Sequence, residues 1–164
     1  SQDFMQRLEP FNDQIARLNM TPRTQVLCFE RRSAGAAGRA FGRREDDTLI
    51  YLERLRYADE TPIVVVQTYL PVEFEAILQE DLSRIGLYDY LKRDDVSRVV
   101  RVRREVNAML SSPYEERLLK VPPRSALQHT VTWGYNRAQR VIEHSTAYYR
   151  GDMNTFVVEL AVEV

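Results

Sequence analysis

The sequence predicts an α+β fold in which an antiparallel β-sheet is covered by helices. Three observations carry that expectation. Much of the chain falls into stretches of strand length that are rich in β-formers or alternate apolar with polar residues; neighbouring stretches are joined by short hairpin-like loops; and only a few brief stretches keep a helical period. At 164 residues the chain has the length of one ordinary domain, enough to bury a core without staples. No internal repeat or second domain is visible.

Taken in order, Phe4, Leu8, Phe11, Ile15 and Leu18 keep a helical spacing interrupted by Pro10, which predicts a short helix from about Asn12 to Leu18 with Asn12 as its cap. Thr24 to Arg31 reads as a strand. Ser33 to Gly42 loses all periodicity in a run of small residues and predicts a mobile loop, a candidate cover for a pocket. Thr48 to Tyr57 and Ile63 to Leu70 are two strands of a hairpin joined by Ala58 to Pro62. Between Pro71 and Leu91 the period turns helical, with Phe74, Ile77 and Leu78 on one face and Ile85, Tyr88 and Leu91 on another.

Val96 to Val106 alternates loosely as a strand. Pro113 to Leu119 predicts a short helix with proline at its start and Glu115 and Glu116 in its first turns, where the helix dipole favours them. Ser125 to Tyr135 and Arg140 to Tyr149 form a hairpin across Asn136 to Gln139. After a break at Gly151-Asp152, a last strand is expected from Asn154 to Val162.

Charged residues make up 29% of the chain and balance to −1, so there is no general electrostatic reason to bind DNA, RNA or an acidic membrane. Any action on DNA requires another segment. The single cysteine, Cys28, lies in an apolar run and has no intrachain partner, consistent with a reducing, cytoplasmic setting. No apolar run approaches the ~20 residues that cross a bilayer, and the start lacks a signal-peptide pattern. His129 and His144 are the two histidines, and neither joins Cys28 in a metal-ligand spacing, so no metal or cofactor is expected. A Gly-x-Ser-x-Gly elbow is absent, and Gly35 to Gly42 lacks the Lys-Ser or Lys-Thr of a P-loop.

Two constellations remain. In the strand from Thr48 to Tyr57, the period of two puts Arg54 and Arg56 on the face of Ile50 and Leu52, so two guanidiniums about 7 Å apart continue an apolar stripe. Such a pair of forks suits a phosphate or carboxylate. The same alternation also admits a solvated sheet end, or pairing with nearby acids. In the strand from Arg140, Glu143, Ser145, Ala147 and Tyr149 share a face, where the two small residues leave room between a carboxylate acceptor and a phenol donor. A surface glutamate facing a neighbouring arginine would give the same pattern. Tyr88, Tyr90, Tyr135, Tyr148 and Tyr149 form an aromatic set that serves either as core or as stacking surface.

With these residues stand Phe11-Asn12, Thr21-Pro22-Arg23-Thr24, Arg54-Leu55-Arg56-Tyr57-Ala58-Asp59, Pro62-Ile63, Thr68-Tyr69-Leu70-Pro71, Leu87-Tyr88-Asp89-Tyr90-Leu91 and the stretch from Glu143 to Asp152. In that order and spacing they resemble the UTRA domain, the effector-binding half of GntR-type transcription regulators of the HutC subfamily. The resemblance covers nearly all of residues 1–164. It implies a chorismate-lyase-like α+β fold, an antiparallel sheet flanked by helices around a ligand cavity, without a winged helix-turn-helix in this chain. It further implies a non-catalytic sensor that forms a homodimer and reaches operator DNA only through such an attached domain.

By the same resemblance, Arg54 and Arg56 hold the anionic group of a sugar phosphate, Asn12 and Tyr88 add hydrogen bonds, and Glu143 and Tyr149 contact the rest of the ligand. Two departures alter the expected ligand. The family's usual serine is Gly86, which keeps only a backbone N–H, and a common glutamate is Val66, which removes an acidic partner. These changes disfavour an amino-sugar phosphate relative to another anionic metabolite, such as a sugar acid, a differently held sugar phosphate or a carboxylate. Two rival readings share the fold: a chorismate-lyase-type enzyme, and a dimerisation module with no ligand.

Overall fold

The computed structural model describes residues 11–163. The elements run α1 (Phe11–Arg17), β1 (Pro22–Ser33), a 3₁₀ segment (Gly35–Phe41), β2 (Thr48–Ala58), β3 (Thr61–Pro71), a second 3₁₀ segment (Val72–Gln79), α2 (Leu87–Leu91), β4 (Arg101–Leu110), α3 (Pro113–Leu119), β5 (Ala126–Tyr135) and β6 (Val141–Arg150). All six strands form one sheet in the order β1-β2-β3-β6-β5-β4, with every neighbouring pair antiparallel. This is the α+β architecture that the alternation predicts and that the resemblance implies. Among the described residues, no helix is long and apolar enough to cross a membrane.

Burial of both sheet faces explains why β2 and β3 read as nearly continuous apolar runs. On one face Ile50, Leu52 and Leu70 pack against Ile77, Leu82, Leu87 and Leu91 from the second 3₁₀ segment, α2 and the turn between them. On the other, Leu55, Tyr57, Val65 and Leu127 pack against Leu119 of α3. α3 starts where the proline and the acids predict: Ser112 caps it, Pro113 opens it, and Glu115 reaches back to the Ser112 backbone N–H at 3.1 Å in a capping box.

The β2–β3 hairpin is tighter than expected, because Ala58 already pairs with Thr61 and only Asp59-Glu60 turn the chain. Asp59 takes a positive φ of 51°, and its carboxylate accepts from the Thr21 N–H at 2.7 Å, tying the turn to the start of β1. Pro62 is tolerated inside β3 because β6 pairs with β3 only from Val64 onward.

Several expectations are corrected. The helical period between Pro71 and Leu91 is two short pieces, and the fourth strand begins at Arg101 rather than Val96. Asn12 lies within α1 and not at its cap position. The spacing of Phe4 and Leu8 falls outside the described residues. Ser33 to Gly42 is not a loop over the cavity but a packed 3₁₀ segment, with Ala34 and Gly38 buried. Gly38 is required there, since a Cβ would sit 2.9 Å from the carbonyl oxygens of Arg43 and Arg44. The strand expected from Asn154 to Val162 does not form. Its hairpin partner β6 already has β3 on one side and β5 on the other, which leaves no free backbone ladder for the returning chain.

Candidate functional site

A cavity of about 480 Å³ lies over the middle of the sheet, floored by β2, β3, β6, β5 and β4 and closed by α1 and α2. Its floor is set by register. Arg54 stands opposite Val66, Val66 opposite Ala147 and Ala147 opposite Thr130; the next row runs Thr68, Ser145, Thr132, Arg104. Because side chains alternate, these rows share one face. Ala147 and Ser145 are small, as the sequence suggested, and the space above them is the cavity.

Arg54 and Arg56 sit together on the cavity wall. Arg54 is 5% exposed, and its Nε is the one buried side-chain nitrogen or oxygen among the described residues that lacks a hydrogen-bond partner. Leaving such a donor unmet costs about 1–3 kcal/mol, more for a charged group. Burial pushes its pKa down, against the opposing pull of the Glu143 carboxylate and the Tyr88 and Tyr149 phenols. Arg56 is pushed down to about 9 by burial and then by the like charge of Arg54. Its Nε donates to Thr24 Oγ1 at 3.2 Å, its Nη2 to Asn12 Oδ1 at 3.4 Å, and its guanidinium lies 4.0 Å from the centroid of the Phe11 ring. All three partners are neutral. Neither arginine appears in an ion pair with a described carboxylate, so among the described residues two adjacent positive charges stand without a direct counter-ion.

Glu143 is 2% exposed and accepts hydrogen bonds from the Tyr88 hydroxyl and from Ser145 Oγ. Ser145 also shares a 2.8 Å bond with Thr68 Oγ1, which orients it. Tyr88 is 37% exposed as a residue, yet its hydroxyl ends on a buried carboxylate; burial and Glu143 push its pKa well up. Tyr149 and Gly86 line the same cavity, as does Val66 in place of an acid. Gly86 immediately precedes α2 with no side-chain cap. Thus Arg54, Arg56, Glu143, Tyr149, Tyr88, Asn12 and Gly86, seven residues from four elements and the approach to α2, meet around one cavity.

The aromatic set divides. Tyr88 and Tyr149 face the cavity, whereas Tyr90 lies beneath Arg93, Tyr135 beneath Arg101, and Tyr148 beside His129 on the other face. Sequence reading missed Thr130, Thr132, Gly134 and Arg104. Thr130, Thr132 and Gly134 follow the period of two along β5, and that alternation was the available signal. Gly134 matters by its absence of a side chain, since a Cβ would lie 3.1 Å from Glu143 Oε1. A second depression of about 460 Å³ lies on the opposite sheet face, beside the first 3₁₀ segment, where Arg32, Gln67, Tyr69 and His144 line it. It holds no orphaned buried donor. Among the described residues, no group of three His, Cys, Asp or Glu is placed to hold a metal.

A six-stranded antiparallel sheet carrying a polar cavity between itself and short helices is a scaffold for binding a small molecule. The chain belongs to the UTRA domain family, whose sequence model matches residues 17–154. It is 21% identical over 154 residues to the HTH-type transcriptional repressor NagR of Bacillus subtilis, covering 93% of this chain and 63% of that protein. The chain therefore spans less than two thirds of that relative's length. Its fold matches the crystal structure of PhnF from Mycobacterium smegmatis with a TM-score of 0.85 at 18% identity, over 96% of this chain and 70% of that one. The separately solved effector domain of PhnF matches with a TM-score of 0.83 at 19% identity, over 96% of this chain and 99% of that one. The C-terminal domain of the histidine utilization repressor from Pseudomonas syringae matches with a TM-score of 0.78 at 13% identity, over 86% and 99% of the two chains.

Proposed function

We propose that this chain is the effector-binding domain of a bacterial GntR-type transcription regulator of the HutC subfamily, and that it senses an anionic metabolite. The observation that carries the anion is the buried, unpartnered Nε of Arg54 beside Arg56, with no described carboxylate paired to either. An oxyanion with several lone pairs satisfies both forks and offsets the cost of burying two like charges. Glu143, held by Tyr88 and Ser145, and the Tyr149 phenol supply an acceptor and a donor for hydroxyl groups on the rest of the ligand. NagR and the histidine utilization repressor, both similar to this chain, are named as repressors, which supports sensing over catalysis.

The sensor acts by linkage. In a cytoplasmic homodimer, an effector that prefers one arrangement of two protomers changes the operator affinity of attached winged helix-turn-helix domains, and coupling of ~1–3 kcal/mol is worth roughly 5–150-fold. The contact of α1 with the clamp supports this reading, because Phe11 and Asn12 touch Arg56 directly. Native mass spectrometry of freshly purified protein, followed by calorimetry with the retained compound, tests the proposal. An anionic small molecule whose affinity depends on Arg54 and Arg56 supports it; a neutral or cationic ligand, or one indifferent to both arginines, overturns it.

A further inference from the structure

Arg104 stands on the cavity face of β4, four strands across the sheet from Arg54, which separates the two backbones by roughly 19 Å at the usual strand spacing. Its Nε donates to Thr132 Oγ1 at 2.9 Å, which fixes the guanidinium through one of its five N–H groups. Among the described residues no carboxylate pairs with it. The other two arginines of β4 are satisfied on the opposite face: Arg103 pairs with Glu105 at 2.9 Å, and Arg101 bonds Gln139 while covering the Tyr135 ring. The one β4 arginine turned to the cavity is the one left without an acid.

The charge distribution in the cavity gives this meaning. Among the described residues Glu143 is the only buried carboxylate lining it; Asp13 and Asp89 lie exposed at the rim, and Asp89 pairs with Lys92 at 3.0 Å. Buried Arg54, half-buried Arg56 and exposed Arg104 thus line a cavity with one interior carboxylate among the described residues. Arg54 and Arg104 both oppose the upward shift of the Tyr88 hydroxyl, which burial and Glu143 cause. Thr130, Thr132 and Ser145 line the floor, with Tyr149 beside them, a polar strip suited to hydroxyl groups.

Resting on the anion-clamp reading above, we infer that Arg104 forms a second anion subsite at the far side of the cavity. The effector then carries two separated anionic groups, a phosphate at Arg54 and Arg56 and a carboxylate at Arg104, joined by a hydroxylated chain: a phosphorylated sugar acid.

Sorbitol 6-phosphate and 6-phosphogluconate are both open six-carbon chains bearing a phosphate and differ at C1, a hydroxymethyl against a carboxylate, so they serve as probes. Each is titrated by calorimetry into wild type, Arg104→Gln and Arg56→Gln, with Arg104→Lys as a charge-retaining control. Wild type is expected to prefer 6-phosphogluconate by about tenfold or more, the gain typical of one charge-assisted hydrogen bond. Arg104→Gln abolishes that preference without weakening sorbitol 6-phosphate, Arg104→Lys retains part of it, and Arg56→Gln weakens both. Equal wild-type affinities, or a preference that survives in Arg104→Gln, overturn the second subsite while sensitivity to Arg56→Gln keeps the clamp. Binding indifferent to Arg56→Gln, or no binding of either compound at 10 mM, overturns the clamp itself.

Discussion

The guanidinium of Arg56 lies 4.0 Å from the centroid of the Phe11 ring, so a cation in the cavity wall is stacked on α1. An anion that binds Arg56 meets a side chain already engaged by α1 through Phe11 and Asn12. Arg54→Ala or Arg56→Ala is expected to weaken effector binding about tenfold or more, since one charge-assisted bond is worth about 1.5–3 kcal/mol. Because each substitution also removes a buried, unpaired charge, the fold should persist. Calorimetry together with circular dichroism checks both parts, and unchanged affinity in both variants removes these residues from the site.

Glu143→Gln keeps the shape and one acceptor while removing the charge that opposes Arg54. We expect moderately weaker ligand binding and a lower melting temperature, because the Tyr88 and Ser145 hydroxyls no longer share an anionic acceptor. Mass spectrometry of ligand incubated with wild type should recover it intact. A product that forms with wild type and disappears with Glu143→Gln would overturn the sensor reading and favour general-base chemistry, where losses of about 10²–10⁴-fold are usual.

Gly134→Ala places a methyl 3.1 Å from Glu143 Oε1 and 3.3 Å from Val99 Cγ1. Such crowding typically costs about 1–3 kcal/mol. Chemical denaturation should show that loss together with weaker effector binding, because Glu143 must move. A variant as stable as wild type and unchanged in affinity would show that the wall is softer than its packing implies.

His144 provides a pH dependence. Burial lowers its pKa, against the pull of the Thr132 carbonyl and Glu143. A base whose folded pKa lies below its unfolded value of about 6.5 contributes stability that is present above that value and is lost as pH falls through the folded one. Wild type should therefore lose stability between pH 7.5 and 5.5, and His144→Gln should lose less over the same interval. Parallel denaturation midpoints for the two proteins would assign the acid sensitivity elsewhere.

Among the described residues the outer strands β1 and β4 pair on one side only, and the alternating tail exposes Phe156, Val158, Leu160 and Val162. Such edges and apolar side chains favour pairing with a second copy. Sedimentation at micromolar concentration should give twice the 19.2 kDa monomer mass, and a monomer throughout the range would count against a dimer. The isolated domain should fail to bind duplex DNA at physiological salt, as its net charge of −1 gives no general attraction to a phosphate backbone.

Local pattern by itself determined the β2–β3 and β5–β6 hairpins, the start of α3 and the shared face of Arg54 with Arg56. A period of two and the chemistry of proline and acidic residues act within a few bonds, so no distant partner was needed to read them. Ordered motifs likewise brought Asn12, Tyr88, Glu143 and Tyr149 together ahead of the coordinates. Tertiary structure alone decided the rest. It ordered the strands so that β6 is enclosed and the alternating tail has no partner, and it packed a glycine-rich run against the sheet as a 3₁₀ segment. It also carried Arg104 across two strands to the wall facing Glu143, while Arg101 and Arg103 of the same strand found partners elsewhere. Which backbone edges remain free, and which charges remain unpaired, depend on strands far apart in the chain, and a local pattern carries no information about them.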